Sequence, residues 1–162
     1  MSATAFFDYP GDSGDDAPTD GPTGRSGDAG VFLAELDDVG WDRLLRLTEV
    51  RRYHPGEVIV WPGSADRSLF IVADGSVEVA EPERAVLSTG AVFGESAFLD
   101  GVPHTAVVRA ATDVDLMLLT PEGFEVLAAR DPGLARMVLT DLGRLLSRRL
   151  RVALAAPARA RR

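Results

Sequence analysis

The chain has 162 residues, of which 46% are hydrophobic and 26% are charged, which suits one compact domain with tails rather than two ordinary domains. Cysteine is absent, which excludes disulfides, thiolate metal sites and a cysteine nucleophile. No apolar run approaches the roughly 18 residues of a membrane span, and no secretory signal pattern begins the chain, so we expect a cytoplasmic protein with no membrane partner.

The net charge of −8 is distributed unevenly along the chain. Residues 1–30 hold six Asp and one Arg among many Gly, Pro, Ser and Thr, whereas residues 144–162 hold seven Arg and no acid. The composition of the first 30 residues buries too little apolar surface to offset the entropy of ordering. We therefore expect a disordered acidic tail at 1–30, one domain at 31–155 and a basic tail at 156–162.

The central part of the chain changes its hydrophobic period twice. From Val31 to Leu47 apolar residues recur every three or four positions, which predicts two short helices separated near Gly40. Beyond Glu49 the period drops towards two, and about eight short strands with Gly and Pro corners follow as far as Leu119. Asp74-Gly75 between two alternating runs predicts a tight hairpin.

A helical period returns after the last strand. Thr120 followed by Pro121 predicts the cap and first residue of one helix, and Asp131 followed by Pro132 predicts the same for a long helix to about Ala155. The fold class is therefore mainly β with flanking helices: a small antiparallel barrel or jelly roll with short N-terminal helices and two C-terminal helices.

The stretch from Phe93 to Ala106 has the composition of a ligand cradle. Gly94 adjoins Glu95 and the small residues Ser96 and Ala97, and a turn and Pro103 follow. Small residues allow backbone amides to approach a bound anion closely. This stretch is the candidate binding site.

Three motifs, in this order and spacing, resemble the cyclic nucleotide-binding domain family: Tyr53-His54-Pro55-Gly56-Glu57-Val58-Ile59, Leu69-Phe70-Ile71-Val72-Ala73-Asp74-Gly75-Ser76-Val77-Glu78-Val79, and Phe93-Gly94-Glu95-Ser96-Ala97-Phe98-Leu99. The family includes the sensory half of catabolite-activator-type transcription factors and regulatory modules of protein kinases and ion channels. The resemblance covers about residues 32 to 155 and implies a double-stranded β-helix, the jelly-roll barrel of that family.

The resemblance also implies a ligand and roles for the cradle residues. The ligand would be cyclic AMP or cyclic GMP, with no other cofactor. Gly94 would admit the ribose, Glu95 would accept its 2′-hydroxyl, and Ser96 and Ala97 would lend amides to the phosphate. The full ligand-binding set is Phe93, Gly94, Glu95, Ser96, Ala97, His104, Thr105 and Ala106.

Position 104 departs from the family pattern. Family members place an Arg nine residues past the Glu, directly after a Pro, to bind the phosphate, but here His104 follows Pro103. Arginine is always charged and offers a planar fork of donors, whereas histidine is mostly neutral at pH 7 and gives one donor. Losing a buried charge partner costs on the order of 2 to 5 kcal/mol, which would weaken a micromolar site to between tens of micromolar and millimolar, at about 1.4 kcal/mol per tenfold.

Two arginines are candidates to replace the missing one. Arg109 lies five residues beyond His104, and in a strand an odd separation turns the two side chains to opposite faces. Arg67 lies in the loop before a strand, and the sequence does not place it. His104 is thus expected to weaken or re-tune the affinity for a cyclic nucleotide.

Two functions remain open. One is a regulatory signalling sensor that repositions the helices after Pro121 when it binds a cyclic nucleotide or a related small anion. The alternative is a degenerate domain that binds no nucleotide and acts as an interaction module for an unknown protein partner or as a homodimer. The stripe of Leu139, Leu142, Leu146 and Leu150 on the helix from 132 to 155 would supply that interface.

Enzymatic and DNA-binding functions are not expected. Metal-dependent oxygenases on this kind of barrel need several His or carboxylates together, and the two histidines, His54 and His104, are far apart in the sequence. His54 is interpreted as a surface corner residue. A helix-turn-helix would have to follow the long helix, and seven residues follow Ala155, so we expect no specific DNA binding, no catalytic residue and no metal.

Overall fold

The computed structural model describes residues 31–80 and 84–155, so the expectations for the tails at 1–30 and 156–162 lie outside the described residues. Within those ranges the chain forms eight strands and four helices. The strands are β1 (Glu49–Tyr53), β2 (Val58–Val60), β3 (Leu69–Asp74), β4 (Ser76–Val79), β5 (Ala85–Ser88), β6 (Val92–Phe93), β7 (Val108–Ala110) and β8 (Val114–Leu119). The helices are α1 (Asp38–Leu45), α2 (Glu95–Asp100), α3 (Pro121–Arg130) and α4 (Pro132–Ala155).

The strands form two four-stranded antiparallel sheets, in the orders β1-β8-β3-β6 and β2-β7-β4-β5. This arrangement, with helices flanking the sheets, confirms the mainly β fold class predicted from the sequence. Strand β3 is apolar at five successive positions because both of its faces are covered. Phe70 and Val72 belong to the core shared with β4, β7 and β8, whereas Leu69 and Ile71 pack in the core shared with α1, α3 and α4.

The hairpin predicted at Asp74-Gly75 is wrong. Strand β3 pairs with β6 and β8, whereas β4 pairs with β5 and β7, so the turn carries the chain from one sheet to the other. Gly75 has φ +78°, and a Cβ there would lie 2.1 Å from the carbonyl oxygen of Asp113. The glycine therefore allows a tight turn between the two sheets, and such a turn has the same local sequence as a hairpin turn.

The two predicted entry helices are a turn at 32–35 followed by one helix, α1. Gly40 does not separate helices: it lies inside α1, and its amide donates to the Asp37 carboxylate, which caps the helix, at 2.8 Å. A Cβ at Gly40 would come within 2.3 Å of Leu36 Cδ1. The glycine thus lies in close packing against the Leu36 side chain and does not mark a helix break.

The C-terminal helices begin where the sequence predicts. Thr120 Oγ1 accepts from the Gly123 amide at 3.0 Å, and Asp131 Oδ1 accepts from the Leu134 amide at 3.0 Å. Helix α4 packs one face on the core, through Leu134, Ala135, Val138, Leu142 and Leu145. Among the described residues, no helix has the length and apolar character needed to cross a membrane.

Candidate functional site

A cavity of about 460 Å³ opens between α2, the segment 102–106 and helix α4. All eight residues of the predicted binding set line it: Phe93, Gly94, Glu95, Ser96, Ala97, His104, Thr105 and Ala106. The structure thus brings the two halves of the candidate cradle together around one space, and it adds Arg149 from α4 to the lining.

The first half of the cradle begins at a glycine that no other residue replaces easily. Strand β6 ends at Phe93, whose ring stacks on Phe70 with centroids 4.8 Å apart, and Gly94 follows with φ +79°. A Cβ on Gly94 would lie 2.7 Å from the carbonyl oxygen of Ser68 and 2.9 Å from Phe70 Cδ2. The close approach of β3 therefore requires glycine here. It also fixes where α2 begins, at Glu95.

Glu95 is buried, with 7% of its surface exposed, and its partner comes from α4. Arg149 Nη1 donates to Glu95 Oε1, and Arg149 Nη2 donates to the carbonyl oxygen of Val92 at 3.0 Å. A buried carboxylate needs such a charge-assisted partner, because an unpaired charge away from water is strongly unfavourable. The guanidinium therefore joins the end of α4 to both β6 and α2.

His104 is held by the loop before β3. Its Nε2 lies 2.7 Å from the carbonyl oxygen of Asp66, and its backbone exchanges hydrogen bonds with Gly63 and Ser64. A carbonyl only accepts, so Nε2 carries the proton, and in the neutral ring Nδ1 is then an acceptor. A neutral His104 therefore has no second N–H to offer to a phosphate oxygen.

The comparison of His104 with Arg109 assumed one strand from His104 to Ala110, but β7 begins only at Val108. His104 instead forms hydrogen bonds with Gly63, Ser64 and Asp66 in the loop before β3. The parity argument for Arg109 therefore had a wrong premise. Arg109 nevertheless lies outside the cavity, where its guanidinium stands 5.9 Å from the ring centroid of Trp61.

Arg67, which the sequence did not place, contacts α2 but does not line the cavity. Its Nε donates to the carbonyl oxygen of Ala97 at 3.4 Å. Neither of the two candidate replacements for the family arginine lines the cavity, whereas Arg149, which the sequence analysis did not single out, does.

His54 lies on an exposed corner, as predicted. Its Nδ1 is 2.7 Å from Asp113 Oδ1, and this hydrogen bond raises the pKa of His54. Within residues 31–80 and 84–155, no group of three or more His, Asp or Glu is placed to hold a metal ion. A second cavity, of about 390 Å³, lies between residues 31–35 and α4 and contains none of the predicted site residues.

Residues 50–131 match the family model described as cyclic nucleotide-binding domain. The chain is 37% identical over 94 residues to a cyclic nucleotide-gated potassium channel of Mesorhizobium japonicum, covering 58% of this chain and 26% of the channel. It is 33% identical over 107 residues to a cAMP-dependent protein kinase regulatory subunit of Hypocrea atroviridis, covering 65% of this chain and 23% of that protein. The chain thus spans about a quarter of the length of these two relatives.

Solved structures agree with the sequence comparison. The catabolite activator protein of Thermus thermophilus superposes with a TM-score of 0.66 at 30% identity, over 76% of this chain and 60% of that one. A cyclic nucleotide-binding domain from Methylobacillus flagellatus has the same fold, with a TM-score of 0.69 at 22% identity over 80% of this chain and 78% of that one. With the motifs, the two-sheet barrel and the cradle in place, this chain belongs to the cyclic nucleotide-binding domain family.

Proposed function

We propose that this domain is a regulatory sensor that binds a cyclic nucleotide, such as cyclic AMP or cyclic GMP, or a related small anion. The observation that carries the proposal is that all eight predicted residues line one cavity together with an arginine from α4. A cavity of about 460 Å³ is within the range of small-molecule sites.

The cradle offers the two kinds of group that a cyclic nucleotide needs. Glu95 presents a carboxylate, which can only accept and therefore suits a ribose hydroxyl, and Arg149 occupies one of its two oxygens. The amides of Ser96 and Ala97 lie in the first turn of α2, where backbone N–H groups have no partner within the helix. These are the groups through which a ribose and a phosphate would be held.

Helix α4 would carry the signal. Arg149 attaches α4 to the cradle through Glu95 and Val92, so a ligand that enters the cavity changes the surroundings of that attachment. If α4 has two positions, a ligand shifts the equilibrium between them only to the extent that its affinities for the two conformations differ. Repositioning of α3 and α4 would thus be a population shift.

Calorimetric titration with cyclic AMP and with cyclic GMP tests the proposal, on the native chain and on His104→Arg. We expect native dissociation constants between tens of micromolar and about 1 mM, and tighter binding by His104→Arg, because the variant restores a charged bidentate donor. Glu95→Gln is expected to weaken binding of either nucleotide, and Glu122→Gln, which changes an exposed glutamate of α3, serves as its control. If neither the native chain nor His104→Arg binds either nucleotide, the sensor proposal is rejected.

A second candidate is a homodimer formed through α4. The stripe predicted from the sequence does not form this surface as a whole, because Leu142 is buried in the core. The support is instead the exposure of Leu150, Val152 and Leu154, at 59%, 67% and 76%, at the end of α4 beyond the residues that pack in the core. A second copy of the same helix would cover such a surface. Light scattering that shows a dimer at micromolar concentration, unchanged by nucleotide and lost in Leu150→Gln, would favour this function. A monomer at high micromolar concentration would exclude it.

A further inference from the structure

We infer that the positive charge facing the anionic group of the ligand is supplied by Arg149 on α4 and not by the residue at position 104. The inference rests on the proposed function and concerns the same cavity. It assigns Arg149 as a specificity-determining residue that selects an anionic ligand.

The charges around the cavity lead to this assignment. Glu95 and Asp100 contribute carboxylates to the lining, which would repel an anion. Among the described residues that line the cavity, Arg149 is the one arginine, and no lysine occurs in the chain. A cation that offsets these carboxylates favours an anion in the pocket beyond what the backbone amides of α2 provide, and Arg149 already pairs with one of the two.

Arg149 can donate to a ligand while it remains paired with Glu95. Its two contacts, to Glu95 Oε1 and to the Val92 carbonyl oxygen, use two of the five N–H bonds of a guanidinium. Its side chain is 38% exposed, so the group is neither buried nor fully in water. The two contacts hold the guanidinium at the edge of the cavity, and its remaining N–H groups are donors for an anion.

A neutral His104 cannot supply this positive charge. The one N–H of a neutral His104 ring donates to the Asp66 carbonyl oxygen. In addition, a point donor on an imidazole lacks the bidentate geometry by which arginine binds phosphate. The cation therefore lies on the helix, 54 residues beyond Glu95 in the chain, rather than nine residues beyond it on the segment after Pro103.

Binding of an anion would then tighten the end of α4 onto the cradle. A ligand oxygen shared by α2 and Arg149 adds a contact that exists only while α4 is in place. An arginine at position 104 could restore affinity but not this connection, because that position is outside α4. The two positions are thus distinguishable by experiment.

Titrations of cyclic AMP followed by two-dimensional NMR compare the native chain, Arg149→Gln, His104→Arg/Arg149→Gln and the control Arg148→Gln. Arg148 adjoins Arg149 but lines the second cavity. We expect Arg149→Gln to weaken binding about ten- to hundredfold, Arg148→Gln to change it less than about twofold, and the double variant to recover most of the affinity. Hydrogen exchange at residues 146–155 is expected to slow on binding in the native chain but not in the double variant.

Arg149→Gln leaves Glu95 buried and unpaired, so its fold is checked by circular dichroism. If it does not fold, Glu95→Gln is compared with Glu95→Gln/Arg149→Gln, which has no unpaired charge, and the same ten- to hundredfold difference is expected. Native binding that Arg149→Gln leaves within twofold overturns the inference while the sensor function stands. Binding by His104→Arg alone, with none by the native chain, also overturns it, and absence of binding by both rejects the sensor function itself.

Discussion

Replacing Gly94 with alanine tests whether the cradle is positioned by the close approach of β3. Gly94 has φ +79°, a left-handed conformation that costs an L-residue about 1–2 kcal/mol. Its new Cβ would lie 2.7 Å from the carbonyl oxygen of Ser68 and 2.9 Å from Phe70 Cδ2, so backbone or a stacked ring must move. Such overpacking costs roughly 1–3 kcal/mol more. The expected loss in the free energy of unfolding is therefore about 2–5 kcal/mol.

Gly63→Ala is the matched control. Gly63 has φ +80°, almost the same as Gly94, but a Cβ there would meet no atom within 4 Å. Its substitution should cost only the conformational part, about 1–2 kcal/mol. Urea unfolding followed by circular dichroism gives both losses, provided that the slope with urea is unchanged. Equal losses for the two variants, within about 0.5 kcal/mol, would refute the claim that β3 excludes a side chain from the cradle.

The core and one surface ion pair give two further predictions. Leu142→Ala should cost about 2–5 kcal/mol in the free energy of unfolding, because Leu142 is fully buried on the core face of α4. Leu150→Ala, on the exposed part of the same helix, should cost less than about 0.5 kcal/mol. Equal losses in chemical denaturation would contradict this packing. The bidentate hydrogen bonds from Arg52 lower the pKa of Asp115. The native chain should therefore have a larger free energy of unfolding than Arg52→Gln at pH values above the ordinary aspartate pKa of about 3.9. This difference should vanish as the pH falls through the lower pKa of Asp115 in the folded state. A difference that persists at pH 2 would exclude this linkage.

Structural features that depend on residues close in sequence could be predicted, and those that depend on residues far apart in sequence could not. The caps Thr120 and Asp131 lie within three residues of the amides that they accept from, so the local sequence identifies them. Asp74-Gly75 has the same local sequence whether the next strand pairs with the previous one or crosses to the other sheet. The apolar run Leu69–Ala73 indicates that β3 is covered on both faces, but it does not determine the strand with which β4 pairs.

The candidate site divides in the same way. Gly94, Glu95, Ser96 and Ala97 are contiguous, and the family motif predicts them. Arg149 comes from the far end of the chain, among several arginines of α4, and the sequence does not say which of them turns towards β6. Arg148 and Arg149 line different cavities, so a rotation of α4 by one residue would place Arg148 where Arg149 lies. That choice is made by the packing of Leu142 and Leu145 in the core.

A weak site can still control α4, because the shift depends on the difference between two affinities and not on the affinity itself. Leu145 is the last buried residue of α4, and beyond it the helix is attached to the cradle through Arg149. A hydrogen bond to a charged group contributes about 1.5–3 kcal/mol, and a tenfold difference in affinity corresponds to about 1.4 kcal/mol. A ligand that binds ten times better with α4 in place would therefore change its attachment by an amount comparable to that contact. In the proposed sensor, His104 in the place of the family arginine would lower the affinity without removing this coupling, because the coupling would run through Arg149.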